Sequence, residues 1–226
     1  MDDMEWHSAR AALEWQVDLG VLDAISDQPI NRYEVPAKLT KSKKDVASVV
    51  AAVEPNQPSP IGIAETLASQ AQDLEALKAA LGMYEHCDLK RGARNLVFCD
   101  GVPGARVMIV GEAPGRDEDL QGRPFVGRAG QLLDQMLAAI ELSRADNVYI
   151  TNILPWRPLH NRDPKPDEIA MMMRFVKRHI ELAQPDMLIC MGNISCQAIL
   201  GKRGIPNLRG TWASALGTPV MPLLHP

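Results

Sequence analysis

Ile109–Gly130 reads IVGEAPGRDEDLQGRPFVGRAG, and the fold is decided by how this stretch is parsed. The apolar run Val107–Val110 is strand-like and ends in the turn Gly111-Glu112-Ala113-Pro114-Gly115. The acids Asp117, Glu118 and Asp119 follow, then Arg-Pro-Phe-Val-Gly at 123–127, then an amphipathic stretch over Gln131–Ile140. Glycine and proline around a carboxylate put Glu112 on a strand-to-helix turn. There the backbone N–H groups of Gly111, Ala113 and Gly115 and an acid face one spot. Open parallel α/β sheets bind their ligands at this place, the carboxyl ends of the strands. Taken alone, a glycine-rich turn of this kind also suits a purely structural role.

Outward from that turn, strand and helix alternate. The pattern predicts strands at Arg106–Gly111, Asn147–Asn152, Met187–Met191 and Thr218–Leu223, and helices at Gly130–Ile140, Pro166–Leu182 and Ile194–Leu200. Strands alternating with helices of this length imply βαβ units. The near-continuous apolar runs VMIV and MLICM suit strands covered on both faces. The expected fold is therefore a three-layer α/β sandwich, with a central, mostly parallel four-stranded sheet flanked by helices. Residues 63–226 form this domain, entered by a helix over Ile63–Leu81. Residues 1–62 read as a helical extension and linker: an amphipathic pattern over 5–25, then a proline-rich stretch with the cluster Lys41-Ser42-Lys43-Lys44 and a short helix at Asp45–Val53.

With 226 residues, 46% hydrophobic and 23% charged, the chain is ordinary globular material. It contains no apolar run of about 18 residues, so no membrane span is expected. Its start, MDDMEWHSAR, lacks the apolar core of a secretory signal, which makes the cytoplasm the expected location. Net charge is −4, unevenly distributed: residues 1–99 carry 10 basic and 15 acidic side chains, residues 100–226 carry 14 and 13. Many of the latter cations are arginines in predicted loops, including Arg157 and Arg162, where they can meet phosphates without a basic isoelectric point. Cys87, Cys99, Cys190 and Cys196 fit neither a C-x-x-C pair nor a zinc spacing. The chain also lacks the P-loop and the dinucleotide-binding glycine fingerprint, which counts against an unrelated nucleotide-binding α/β protein.

Chemistry-bearing residues fall at the predicted strand ends. Glu112 and, beyond it, Phe125 follow the first strand. Asn152 ends the second, in YITNILPWRPLHNRDP. Gly192-Asn193-Ile194-Ser195 follows the third, and His225-Pro226 the fourth. A carboxylate, an aromatic ring, a carboxamide and an imidazole converging on one crevice suit a flat heterocycle: the ring stacks on it, the carboxamide reads its edge, the imidazole donates to a carbonyl oxygen. Each also has a plain alternative: core packing for Phe125, a turn for Asn152, helix-capping charge for Glu112 and the acids 117–119.

GEAPGRDEDLQGRPFVGRAGQLLD, YITNILPWRP with its following Asn-Arg and Pro, and the terminal His-Pro, in this order, resemble the uracil-DNA glycosylase superfamily, most closely its family 4 branch. The resemblance covers residues 82–226. It implies a DNA repair glycosylase that flips uracil out of single- or double-stranded DNA and hydrolyses the N-glycosidic bond, leaving an abasic site. By matching position, Phe125 is the platform under the flipped base. Asn152 pairs with the uracil O4/N3 edge and excludes cytosine, and His225 stabilises charge at O2. Glu112 places the attacking water, and Glu118 crowds the C5 edge against the methyl of thymine. Asn193 and Ser195, at a helix N-terminus, join Arg157 and Arg162 as candidate contacts to DNA phosphates.

The chain departs from the family pattern in two places. Family 4 members hold a [4Fe–4S] cluster on four cysteines, whose positions here read Tyr84, Cys87, Trp156 and Met172. Three thiolates are missing, so no cluster is expected, and Trp156 and Met172 are expected to fill the site as core. No other cofactor or metal is required. The sequence also stops at His225-Pro226, before the segment that in the family wedges into the duplex. This makes single-stranded substrate the less demanding one and keeps open an alternative, a uracil-DNA-binding protein with little or no turnover. A monomer is expected.

Overall fold

The computed structural model describes residues 59–226, and the expected helices at 5–25 and Asp45–Val53, with the lysine cluster between them, lie outside the described residues. The expected helix over Ile63–Leu81 is two helices, α1 (Pro60–Gln70) and α2 (Leu74–Met83). The break has a local cause. Ser59 caps α1, its hydroxyl accepting from Gly62 N at 3.1 Å, and Asp73 starts a new helix by accepting from Ala76 N at 2.7 Å. A short turn of helix, α3 (Leu89–Gly92), leads into the sheet.

The sheet has six strands in the order β1-β3-β2-β4-β6-β5. Its centre is the parallel set expected from the pattern: β2 (Val107–Gly111), β3 (Val148–Asn152), β4 (Met187–Met191) and β6 (Thr218–Leu223). The expectation of four strands is corrected by two edge strands, β1 (Asp100–Gly101) on β3 and β5 (Ala213–Ala215) on β6, both antiparallel. At two and three residues they are too short to show an alternating pattern. Helices α4 (Arg116–Gln121) and α5 (Arg128–Ala138) follow β2. The long α6 (Pro166–Ala183) links β3 to β4, and α7 (Asn193–Leu200) and α8 (Ile205–Leu208) precede β5.

Alternation along the central strands divides the interior in two. Met108, Val110, Tyr149 and Leu188 pack with residues of α1, α2, α6 and α7. Ile109, Val148 and Ile150 point the other way, onto Leu133 and Leu137 of α5 and onto Phe125. Both faces of the sheet are therefore covered, which is why these strands read as unbroken apolar runs. Met108, Ile109, Val148, Ile150 and Leu188 are fully buried, each stabilising the fold by roughly 1.5–3 kcal/mol relative to exposure. Among the described residues no helix is long and apolar enough to cross a membrane.

The strand register sets the geometry of one sheet edge. Gly111 pairs with Asn152, and Met191 with Leu223. Gly192 N then donates to Leu223 O at 2.9 Å, so the ends of β2, β3, β4 and β6 finish side by side.

Candidate active site

The ends of β2, β3 and β6 open into a cleft of about 320 Å3, lined by Glu112, Ala113, Gly115, Glu118, Phe125, Asn152, Arg162 and His225, all anticipated from the sequence, together with Pro114, Ala129, Pro158 and Asn161. Its floor is held by the chain beyond β2 and β3: Ile153 N donates to Gly111 O at 3.0 Å and Leu154 N to Glu112 O at 2.9 Å. Gly111 lies beneath rather than on the lining. A Cβ there would come within 2.6 Å of the Phe125 ring and closer still to Asn152 Oδ1, so only glycine lets the aromatic and the carboxamide meet over this peptide.

Phe125 is buried and stands in the left-handed region at φ 53°. For a bulky residue that conformation costs about 1–2 kcal/mol, which the surroundings must offset. Part of the offset comes from Glu118. Its Oε1 accepts from Val126 N at 2.9 Å and Gly127 N at 2.8 Å, the two amides following Phe125 at the entry to α5. The expected placement of Glu118 against a pyrimidine C5 edge therefore needs refining: the side chain lines the cleft, but one carboxylate oxygen is committed to the loop. Asp119 is committed likewise, accepting from Arg94 N at 2.8 Å.

The His225 imidazole faces the Phe125 ring with centroids 5.7 Å apart and planes 25° apart; its Nδ1 lies 3.1 Å from Pro226 O. Glu112 is half-buried, and burial raises its pKa above the usual carboxylate range. Asp163 adds to this shift, against the pull of His225 and Arg203. A carboxylate so placed is a stronger proton acceptor than a solvated one.

The expected phosphate contacts fare differently. Arg162 lines the cleft, but its guanidinium forks onto the buried carboxylate of Glu168 (Nη1–Oε2 3.0 Å, Nη2–Oε1 2.6 Å). Arg157 lies outside the cleft lining, its Nε donating to Asn161 Oδ1 at 2.8 Å. Asn193 lines a neighbouring recess of about 410 Å3 that shares Glu112 and His225 with the cleft and adds Asp163, Arg203 and Gly204. Its Oδ1 accepts from Gly204 N and Ile205 N. Ser195 is corrected: it is fully buried and its hydroxyl donates to Gly192 O at 3.2 Å, inside the first turn of α7 rather than on the surface. The sequence reading missed Asp163 and Arg203 of the recess: Asp163 lies within the quoted stretch after β3 but received no role, and Arg203 lies in no motif. It also missed Arg144, which donates to the Phe125 carbonyl from another loop.

Tyr84, Cys87, Trp156 and Met172 are at most 2% exposed and belong to one apolar core. Tyr84 donates its hydroxyl to Pro60 O at 2.8 Å and meets Phe175 edge-on at 5.5 Å. Cys87 is a free thiol whose pKa burial raises. One thiol among a phenol, an indole and a thioether, all engaged in packing, does not fit a [4Fe–4S] cluster, which thiolates hold.

The carboxyl edge of a mainly parallel α/β sheet thus carries an aromatic ring, a carboxamide, an imidazole and a carboxylate around one cleft. Residues 98–226 match the family model of the uracil DNA glycosylase superfamily, and the chain belongs to that superfamily, in its type-4 branch. It is 49% identical over 113 residues to a type-4 uracil-DNA glycosylase of Archaeoglobus fulgidus, covering 50% of this chain and 56% of the relative. It is 41% identical over 131 residues to one of Sulfurisphaera tokodaii (58% and 60%), and 39% identical over 143 residues to one of Thermotoga maritima (62% and 74%). The chain thus spans little more than half the length of the first two relatives.

Proposed function

We propose that the protein is a uracil-DNA glycosylase that works without an iron–sulfur cluster. The observation that carries this reading is the convergence of Glu112, Phe125, Asn152 and His225 on one cleft from three separate strand ends and the loop after β2. The target atom of a base is inaccessible inside a duplex, so the nucleotide rotates out into the cleft at a cost of a few kcal/mol. The base stacks on Phe125. Asn152 donates from Nδ2 to uracil O4 and accepts the N3 proton at Oδ1; cytosine presents the opposite donor–acceptor pattern and is rejected.

Water then attacks C1′ as the C1′–N1 bond breaks, with the electron pair leaving on uracil. Glu112 orients the water and accepts its proton. His225 donates to uracil O2, where negative charge grows only as the bond breaks, so it stabilises the transition state more than the bound substrate.

Single-stranded and duplex oligonucleotides carrying one uracil test this directly, scored for alkali-labile abasic sites and for retained binding. Abasic sites made from uracil and not from cytosine or thymine are the expected result. Uracil-dependent binding without release identifies a non-catalytic uracil binder instead, and intact, unbound strands reject both readings.

A further inference from the structure

Arg144 sits in the turn between α5 and β3, outside the motifs that carry the cleft residues, and its side chain is only 15% exposed. A guanidinium has five N–H donors in a fixed planar fork. Here four hydrogen bonds engage all three nitrogens. Nε donates to Asp134 Oδ1 at 2.9 Å, Nη1 to Asp100 Oδ2 at 2.8 Å and Pro124 O at 3.0 Å, and Nη2 to Phe125 O at 2.7 Å, while Nη2 also lies in ion-pair contact with Asp134 Oδ1 at 2.8 Å. The two carboxylates come from β1 and α5, and the two carbonyls belong to consecutive residues of the loop that carries the aromatic ring. Ser143 and Asn147 brace the turn beneath, Ser143 N donating to Asn147 Oδ1 at 2.8 Å.

The same peptides are held from the other side, where the Glu118 carboxylate takes the amides of Val126 and Gly127. Gly130 allows α5 to close on the loop, because a Cβ there would overlap the Phe125 carbonyl. A ring in left-handed backbone would relax if its carbonyl were released, and Arg144 is the group that holds that carbonyl.

We infer that Arg144 is a positioning residue for Phe125, locking the loop so that the ring presents its face to the cleft. A lysine keeps the charge facing Asp100 and Asp134 but, with three donors on one nitrogen, cannot span two carbonyls and two carboxylates. The inference rests on the glycosylase reading for its kinetic consequence but not for its structural one, and the experiment separates the two.

The first measurement needs no activity. With the two rings stacked at 5.7 Å, the ring current of Phe125 is expected to shift the ring protons of His225 in NMR spectra, and Phe125→Ala defines the full size of that shift. Arg144→Lys is expected to lose at least half of it; retention of the whole shift overturns the inference. The second is single-turnover uracil release for the parent, Arg144→Lys, Phe125→Ala and the double variant. Arg144→Lys is expected to slow the parent by roughly tenfold to a hundredfold, the scale of a displacement of about 1 Å in a positioned group, and to change the Phe125→Ala protein less than about twofold. Equal losses in both backgrounds mean general structural damage and overturn the inference. If the parent releases no uracil, the glycosylase reading fails and the NMR measurement alone decides. Should Arg144→Lys not fold, Asp134→Asn, which loosens the guanidinium, goes through the same measurements with the same criteria.

Discussion

Replacing Gly111 by alanine adds one methyl group at the point where the Phe125 ring and the Asn152 carboxamide both crowd the backbone. Built on the observed backbone, that methyl lies 2.6 Å from two ring atoms of Phe125 and nearer still to Asn152 Oδ1. Carbon atoms settle at roughly 3.5–4.0 Å, so one or both side chains must retreat by about 1 Å. The backbone itself tolerates alanine, since Gly111 is not among the residues with positive φ. The expected effects are a stability loss of about 1–3 kcal/mol from overpacking and a fall in single-turnover uracil release of about a hundredfold, or ~2.7 kcal/mol. Gly92→Ala is the control, because a Cβ there meets nothing within 4 Å. The assay is release from a single-stranded uracil oligonucleotide under enzyme excess, with thermal melts in parallel. If Gly111→Ala cleaves within about twofold of the parent while remaining folded, the close approach of Phe125 and Asn152 to this peptide is not what organises the site.

His225→Ala is expected to lower single-turnover release by about 10²–10³, the loss typical of one oxyanion donor, while affinity for uracil-containing single strand changes far less; parallel losses in rate and affinity would assign His225 to ground-state binding. Asn152→Asp should relax the preference for uracil over cytosine, since a base-edge pair carries roughly 1–3 kcal/mol of discrimination, and unchanged relative rates on the two bases would remove Asn152 from that role. Purified protein should be colourless and iron-free, and stoichiometric iron with visible thiolate-to-iron absorption would contradict the packing of Tyr84, Trp156 and Met172. His179, stacked on Phe98 at 4.3 Å with its Nε2 2.7 Å from the Tyr149 hydroxyl, has its pKa pushed down to about 3 by burial. The unfolded chain then binds the proton that the folded chain refuses, so stability is complete above about pH 6.5 and falls below it by up to ~1.4 kcal/mol per pH unit. Urea titrations at pH 7, 6 and 5 should show a steeper decline for the parent than for His179→Gln, and equal slopes would count against this account.

The parallel centre of the sheet was legible because strands buried on both faces must be continuously apolar, as at Met108–Val110 and Leu188–Met191. The edge strands were not, because pairs as short as Asp100-Gly101 are made by their neighbours and leave no period of their own. The break between α1 and α2 was written locally, in Asp73, but the apolar run across it argued for one helix. At the site, Glu112, Asn152 and His225 line one cleft because each sits at or just after the end of a strand whose position the pattern predicts, whereas Arg157, Asn193 and Ser195 lie outside it. Ser195 was misplaced because a helix N-terminus suggests exposure, whereas a serine three residues on can bond back to the preceding carbonyl. The hold on Phe125 was invisible for a different reason. Asp100 and Arg144 lie outside the motifs and Asp134 only ends one, and the three are brought together by folding alone.

The left-handed Phe125 has a further consequence for energetics. A side chain already fixed by folding gives up little rotational freedom when a base arrives, so the protein's share of the ordering entropy is small. For a uracil-DNA substrate, the difference in affinity between a single strand and a duplex would then be dominated by the nucleic acid, in the stacking and pairing lost as the nucleotide turns outward. Comparing the two kinds of uracil-DNA on this preformed site would serve as a thermometer for the helix rather than for the protein, with mismatched or A·T-rich surroundings reading lower than G·C-rich ones.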